Sequence, residues 1–265
     1  MIWLVQLVFD CANPDPLAQF WGQTLEYRNS LVAASPEEIR AFRSEYPQFD
    51  GRGRVDDDDL RRMPIYIQRV SEPKTQRNRV RLEIATPFDA LGATLDRLHA
   101  LGATPTTTPL EFHDVEGNEF TVTPTDGHTV RLRSIVIDSV DPERLLHFWS
   151  AATGYRRAGL RCDPVPVGLT WTGTAFDLHG TTLRHISGAG GRPSPALYDL
   201  MPGLVFIEAE EAKTTKNRIH VDLNSTDLQA DREGLVDLGA TILRWDTDHV
   251  LADPEGNEFC LSGRP

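Results

Sequence analysis

The amino-acid sequence predicts an α+β protein made of four small modules in tandem, each a strand, a helix and further strands. Three observations support this prediction: the chain repeats itself, apolar residues alternate at period two in several segments, and helical apolar stripes follow these segments. The 265 residues are 40% hydrophobic and 25% charged, which are ordinary values for a globular chain. The length suits one large domain or two of modest size.

The first repeated feature is a helix that follows an apolar strand. Strands are expected at residues 5–9 and 135–140, and each leads to a capping residue and a proline at the first helical position. The caps Asn13 and Asp141 lie 128 positions apart (141 − 13), and an apolar stripe follows each of them at the same separation. The stripes consist of Leu17, Phe20 and Trp21 in the first copy and of Leu145, Phe148 and Trp149 in the second.

The second repeated feature is a strand, a helix and a closing turn that leads into a last strand. Its two copies are separated by 139 positions (217 − 78). The helix in each copy is expected to begin at a threonine cap, Thr86 or Thr226, and to end at a glycine, Gly102 or Gly239. The recurring segments are Asn78–Glu83 with Asn217–Asp222 and Glu116–Phe120 with Glu255–Phe259.

The repeat divides the chain into two homologous halves that contain two modules each. The halves join near residues 124–129, so we expect an N-terminal domain at residues 1–126 and a C-terminal domain at residues 127–265. The two domains are expected to pack as an internal pseudo-dimer, in a monomer or in a homodimer.

The segment Ile219–Leu223 indicates where a site could lie. Its apolar and polar residues alternate, so His220 faces away from the apolar set. The same alternation in the last strand places Glu258 and Cys260 on the polar face with His220. These three residues are therefore candidates for ligand binding.

Charge and composition exclude several classes of function. With 39 acidic and 27 basic residues the formal net charge is −12, which does not provide the basic surface that nucleic-acid binding needs. The cysteines Cys11, Cys162 and Cys260 are odd in number and widely spaced, which indicates a reducing compartment and a cytoplasmic protein. The apolar start of the chain runs into a polar turn too early for a membrane span, so no membrane partner is expected.

Several of these motifs together resemble the vicinal oxygen chelate superfamily and its glyoxalase-like branch. They are the paired modules, the helices with Phe-Trp, the strand Lys-Asn-Arg-Ile-His-Val-Asp-Leu and the closing Asp-Pro-Glu-Gly-Asn-Glu-Phe. The superfamily includes glyoxalase I, bleomycin-resistance proteins and extradiol dioxygenases. The resemblance implies βαβββ modules that pair into open cups, with a ligand on the concave face and, where present, a divalent metal. Such a fold hosts enzymes and binding proteins alike.

The resemblance also assigns the superfamily's metal-binding positions to residues of this chain. In the N-terminal half these positions fall on Gln6, Gln68, Arg81 and Thr121. In the C-terminal half they fall on Ser134, His220, Cys260 and either Ile207 or Glu208. The first set has neither carboxylate nor imidazole, and its arginine would repel a cation. We therefore expect a degenerate cup in the N-terminal half and the functional cup in the C-terminal half.

The primary prediction is a protein that binds a small organic molecule without a metal. A cysteine, Cys260, stands where the superfamily's hard metal sites use a carboxylate, and dioxygenase chemistry needs two histidines and a glutamate. Ser134, Glu208 and Glu258 are expected to bind the ligand beside His220 and Cys260, as in sequestration of a toxic or antibiotic compound. Trp171 could line the cup and stack on a flat ligand, or pack at the core or rim.

Two alternatives remain open, and they decide whether the protein is an enzyme. A glyoxalase-type lyase or isomerase, or an extradiol-type dioxygenase, would hold Zn, Fe, Mn or Ni through His220, Glu208 and Cys260. Alternatively, a Cys260 thiolate activated by His220 would act as a nucleophile.

Overall fold

The computed structural model describes residues 2–27, 62–153, 155, 202–245 and 249–263, and the backbone alone of the short strands at 29–30, 53–56, 156–158 and 167–170. Within these residues, no helix is both long and apolar enough to cross a membrane. The predicted Trp171 and Cys162 lie outside the described residues.

Four βαβββ modules follow one another along the chain, which confirms the α+β class. The first module contains β1 (Ile2–Cys11), α1 (Pro14–Thr24), β2 (Asn29–Ser30), β3 (Gly53–Asp56) and β4 (Ile65–Arg69). The second contains β5 (Val80–Pro87), a 3₁₀ helix (Phe88–Ala90), α2 (Leu91–Ala100), β6 (Thr104–Pro105), β7 (Glu111–His113) and β8 (Glu119–Thr125). The third contains β9 (Arg131–Ser139), α3 (Pro142–Thr153), β10 (Arg156–Ala158), β11 (Val167–Thr170) and β12 (Gly203–Glu208). The fourth contains β13 (Ile219–Ser225), α4 (Leu228–Asp237), β14 (Thr241–Arg244), β15 (Val250–Ala252) and β16 (Glu258–Gly263).

Each of the two sheets combines one module from each half of the chain. Sheet A has the strand order β14-β15-β16-β13-β1-β4-β3-β2, so it joins the first and fourth modules. Sheet B has the order β10-β11-β12-β9-β5-β8-β7-β6, so it joins the second and third modules. The joints are the antiparallel pairs β1 with β13 and β5 with β9. Two segments, 70–79 and 209–218, therefore cross from one sheet to the other.

Both sheets bury one face in a single continuous core. In β1 the side chains of Leu7, Phe9 and Cys11 are buried in it, and in β13 those of Ile219 and Val221. The intervening residues face the other way because side chains alternate along a strand. The predicted helical stripes also belong to this core; they are Leu17, Phe20 and Trp21 in α1 and Leu145, Phe148 and Trp149 in α3.

The helix ends agree with the sequence better than the helix starts. Gly102 (φ +97°) and Gly239 (φ +104°) end α2 and α4, as predicted, because this backbone conformation favours glycine. The cap of α4 is Asp227, whose side chain accepts a hydrogen bond from the amide of residue 230, and not Thr226. Thr86 does not cap α2 either: its hydroxyl bonds Thr94, and a 3₁₀ turn precedes the helix.

The closing segments of the second and fourth modules contact the first helix of their own half, α1 or α3. Asp114 accepts a hydrogen bond from the indole of Trp21 at 3.0 Å, and Asp253 accepts one from Trp149 at 3.1 Å. Glu116 accepts bonds from the amides that open α1, and Glu255 from those that open α3. Each half is thus held together by its closing segments, while the sheets join the two halves.

Candidate functional site

The polar face of sheet A is the face turned away from the core, and it carries the candidate site. The strand register places Val8 beside His220, Gln6 beside Asp222, and Asp222 beside Cys260. Gln68 lies further along the same face, next to Asp10. Two modules that are far apart in sequence therefore contribute to one site.

Three side chains on this face converge on one point. The Nε2 atom of His220 lies 3.8 Å from the Sγ atom of Cys260 and 3.5 Å from Oδ1 of Asp222. All three candidate ligand atoms lie within 4.8 Å of one another. The other oxygen of Asp222 accepts a hydrogen bond from the Gln6 amide at 2.7 Å, which fixes the carboxylate beside the histidine.

Hydrogen bonding in this cluster, called the His220 cluster below, is incomplete. The Nδ1 atom of His220 and the Oδ1 atom of Asp222 are buried, and neither has a hydrogen-bond partner in the described part of the chain. The side chains themselves are 11% and 20% exposed. Buried polar atoms usually have partners because leaving one unpaired costs about 1–3 kcal/mol.

The geometry does not support the nucleophile alternative. A relay needs the thiol at one ring nitrogen of the histidine and the carboxylate at the other. Here Cys260 and Asp222 both approach Nε2, while Nδ1 is without a partner. The thiol and the carboxylate therefore meet at the same ring nitrogen and do not form a thiol–imidazole–carboxylate relay.

The donor set fits a zinc-type ion better than a hard ion. Imidazole, thiolate and carboxylate are all zinc ligands, whereas Mg²⁺ and Ca²⁺ take oxygen ligands. In a tetrahedral zinc site with these ligands, neighbouring donor atoms lie about 3.3–3.6 Å apart. The two separations from His220, 3.5 Å to Asp222 and 3.8 Å to Cys260, are within a few tenths of an ångström of that range, and all three atoms lie within 4.8 Å of one another. His220, Asp222 and Cys260 are therefore the residues that could hold such an ion.

The corresponding face of sheet B is filled by its own ion pairs. Arg81 forms two hydrogen bonds with Asp138, at 2.5 and 2.7 Å. Glu83 accepts bonds from Thr123 at 2.6 Å and from Arg133 at 2.7 Å. Among the described residues, the one group of such donor side chains is His220, Asp222 and Cys260, and none of these lies in sheet B.

The structure corrects the expected grouping of the site residues. Ser134 and Glu208 lie in sheet B, apart from His220 and Cys260, because β9 and β12 pair with the second module. Glu208 is in addition exposed, at the end of β12. By alternation it lies on the same side of the strand as the buried Leu204 and Phe206. Of the two aligned possibilities, Ile207 is the residue on the polar face. In the hypothetical metal set of His220, Glu208 and Cys260, Glu208 therefore does not lie with the other two residues.

Glu258 is committed to a structural role. One of its carboxylate oxygens accepts a hydrogen bond from Lys213 at 2.7 Å, and the other from the amide of Asn217 at 3.2 Å. Its repeat counterpart Glu119 bonds Lys74 and the amide of Asn78 in the same way. The expectation that Glu258 binds ligand therefore receives no support from its contacts.

Two residues of the candidate site, Asp222 and Gln6, are not among the ligand-binding residues that the sequence predicts; Asp222 could bind a ligand, but a carboxylate at a strand end is more often solvated. The signal for Asp222 was present, since it alternates with the core residues of β13 as His220 does. Gln6 was assigned to the N-terminal half's degenerate cup, and only the pairing of β1 with β13 brings it to His220. A local pattern does not contain that pairing.

The fold and the polar face define a protein of the vicinal oxygen chelate class, with two sheets each built from paired βαβββ modules. A model of the glyoxalase-like domain family matches residues 6–123 and again residues 134–262. The chain belongs to this family. No curated protein matches the chain.

Two solved structures of glyoxalase I agree with the fold at low sequence identity. Glyoxalase I from Zea mays has 13% identity and a TM-score of 0.59, covering 98% of this chain and 92% of that chain. A glyoxalase I mutant from Zea mays gives a TM-score of 0.61 with the same identity and the same coverage. A glyoxalase/bleomycin resistance protein/dioxygenase family enzyme from Burkholderia phytofirmans PsJN, 15% identical, covers 49% of this chain and 95% of that chain with a TM-score of 0.29. At these identities the likeness concerns the fold alone.

Proposed function

We propose that the polar face of sheet A binds a small organic molecule that has a polar group. The observation that carries this proposal is the unsatisfied hydrogen bonding of His220 and Asp222. A ligand that supplies a donor and an acceptor at this position would recover the free energy that the unpaired atoms cost. The ion-paired face of sheet B provides no comparable reason for a ligand to bind there.

Binding without a metal is the form of this proposal that the histidine supports best. A histidine that ligates a metal normally donates its second ring N–H to a carboxylate, a carbonyl or water. His220 has no such protein partner at Nδ1 among the described residues. Reversible binding or sequestration of a polar organic compound needs no such partner.

The test is a ligand screen on protein that has been treated exhaustively with a chelator. Compounds are ranked by the rise in melting temperature, and hits are titrated by calorimetry. We expect His220→Ala and Asp222→Asn to weaken a hit by about tenfold each, the value of one hydrogen bond to a charged or polar group.

Ser134→Ala in sheet B is the matched control, and it should leave the affinity unchanged. The proposal fails if Ser134→Ala weakens the hits while His220→Ala does not, or if chelation abolishes binding. The first result would place the ligand in sheet B, and the second would make the metal essential.

A metal-dependent enzyme is the second candidate function, and the convergence of three donor atoms in the His220 cluster favours it. A metal held there would act as a Lewis acid on adjacent oxygens of a substrate. Its protein ligands would be His220, Asp222 and Cys260, in a set that selects zinc-type ions over magnesium.

Metal analysis separates the two candidates. Near-stoichiometric metal in untagged wild-type protein, lost in His220→Ala and Cys260→Ser but kept in Ser134→Ala, would establish the metal centre. Substitution with Co²⁺ adds a readout independent of activity, since a cysteine ligand produces a thiolate-to-metal charge-transfer band. Protein that remains metal-free after incubation with Zn²⁺, Fe²⁺, Mn²⁺ and Ni²⁺ in turn would eliminate this candidate.

A further inference from the structure

A cleft of about 410 Å³ lies where the two crossing segments, 70–79 and 209–218, meet. Seven of the residues that line it are lysine or arginine, and two are acidic. The chain as a whole has a formal charge of −12, so this concentration of basic groups is local. Most of these cations have carboxylate partners, as described below, so a cation of the cleft that lacks one is where a small anion would be attracted.

The two segments are related by the internal repeat. Gln76 of the first segment bonds Thr215 of the second, and these residues are 139 positions apart (215 − 76), so they are repeat equivalents. The lysines are equivalent as well: Lys74 pairs with Glu119 at 2.8 Å, and Lys213 pairs with Glu258 at 2.7 Å. The cleft thus lies about an approximate two-fold axis, and departures from that symmetry identify positions with a special role.

The arginines of the two segments break the symmetry. Arg79 donates to the carbonyl of Glu211 at 2.6 Å and to the carboxylate of Glu255 at 3.2 Å. Its equivalent, Arg218, donates to the carbonyl of Glu72 at 2.5 Å. No carboxylate of the described residues lies within ion-pair distance of Arg218, whereas Arg79 has Glu255. The Nε atoms of both arginines are without a hydrogen-bond partner among those residues, so the ion pair is the difference between them.

The equivalent glutamates, Glu116 and Glu255, also differ in their side-chain partners. Glu116 accepts hydrogen bonds from the amides of Ala12 and Asn13 and also from the Asn13 side chain. In the other half Glu255 binds the hydroxyl of Ser139, and the residue at that position of the first half is the buried Cys11. Both glutamates accept hydrogen bonds from two amides at the start of a helix, but only Glu255 also forms an ion pair with the arginine of the crossing segment.

The remaining cations of the two segments are compensated. Arg77 pairs with Glu111, and Lys216 pairs with Asp10, which is 2% exposed. Together with the pairs already described, five of the six lysines and arginines at 74–79 and 213–218 have a carboxylate partner, and the sixth is Arg218.

We propose that Arg218 binds a compact anion, a carboxylate or a phosphate, in this cleft. A guanidinium presents a planar fork of N–H donors that matches both groups, and a partly buried arginine without a counter-ion is the position where such an anion binds best. Lys216 also lines the cleft, but it is paired with the buried Asp10, so Arg218 is the residue that the proposal depends on. This site is distinct from the His220 cluster, and it does not require that the cluster bind a ligand.

The experiment titrates full-length protein with inorganic phosphate and with succinate at low ionic strength, with succinamide as the uncharged analogue. Binding is followed by calorimetry and by two-dimensional NMR. We expect phosphate or succinate to bind and succinamide not to bind, and raised salt to weaken the binding. The preference between phosphate and succinate tells which of the two anions the site takes.

Arg218→Gln should weaken anion binding by at least about tenfold, the loss that a charge-assisted hydrogen bond produces. Arg79→Gln is the matched control, because its guanidinium already has Glu255, and it should retain wild-type affinity. Arg218→Lys keeps the charge without the planar fork, so its affinity for the anion should lie between those of the wild type and Arg218→Gln. It replaces the glutamine variant in the test if that variant is unfolded. No anion binding to the wild type, or equal weakening by Arg218→Gln and Arg79→Gln, would overturn the proposal.

Discussion

Replacing Glu255 by alanine should destabilise the protein more than any comparable change in the other half. The Glu255 side chain is 5% exposed and holds the start of α3 against the closing segment of the fourth module. It accepts hydrogen bonds from the Ser139 hydroxyl and the Asp141 amide, both at 2.7 Å, and from the Val140 amide at 3.0 Å. It also forms an ion pair with Arg79 at 3.2 Å, whose side chain is 13% exposed.

The size of the effect follows from the group that is left behind. Removing one partner of a buried ion pair costs about 3–5 kcal/mol, because the remaining charge is desolvated without compensation. The freed amides lie near the surface, where water can replace the carboxylate, so their loss adds little. We therefore expect Glu255→Ala to lower the free energy of unfolding by about 3–5 kcal/mol.

Glu116→Ala is the internal control, since Glu116 accepts the equivalent two amide bonds at α1 but has no arginine partner and bonds the Asn13 side chain in place of a serine hydroxyl. Its loss should resemble the loss of a helix cap, about 0.5–2 kcal/mol. Urea denaturation followed by circular dichroism gives both values, provided that the slope of the free energy against urea is unchanged.

The comparison can refute the reasoning. If the two variants lose the same free energy within about 0.5 kcal/mol, the ion pair with Arg79 does not contribute and the hydrogen bonds explain the whole effect. If the double variant Glu255→Ala/Arg79→Gln is no more stable than Glu255→Ala alone, the cost of Glu255→Ala does not come from an unpaired guanidinium.

Two further predictions concern ionisable groups. The pKa of Glu111 is lowered, chiefly because Arg77 donates hydrogen bonds to it, so its contribution to stability is complete above its ordinary pKa of 4.5 and is lost as the pH falls through the lowered value. The stability difference between wild type and Glu111→Gln should accordingly be constant above pH 4.5 and shrink as the pH falls below it; a difference that stays constant in acid would contradict this assignment. Burial, with a smaller effect of the nearby Glu116 carboxylate, raises the pKa of the Cys11 thiol to about 12. At pH 8 only about one thiol in 10⁴ is then ionised, so peptide mass spectrometry should find Cys11 alkylated by iodoacetamide only after unfolding.

Much of the fold could be predicted because local sequence patterns determine its helices, its strands and their buried faces. The alternation around His220 and Cys260 identified the face on which both lie, and the apolar stripes identified the buried sides of α1 and α3. The glycines that end α2 and α4 were identified because few other residues adopt a positive φ. The helix starts were harder, since Thr226 and Asp227 are both good caps and the backbone selects only one.

The composition of the site could not be predicted in the same way. Ser134, Glu208 and His220 belong to one half of the sequence, yet the sheets separate the first two from the third. Asp222 shares the polar face with His220 by alternation, but its contacts with Gln6 and His220 become visible only in the structure. Glu258 had the correct face but an unforeseen partner in Lys213.

The sequence by itself determined the four modules, the faces of their strands and the superfamily. Only the tertiary structure decided which modules share a sheet, and so which residues meet at the site. The physical reason is that the second and fourth modules are repeats of each other with the same period-two pattern, so β1 could pair with either β5 or β13 on local grounds. The choice depends on contacts between residues more than 200 positions apart, such as the bond from Gln6 to Asp222 (222 − 6 = 216), which no local pattern encodes.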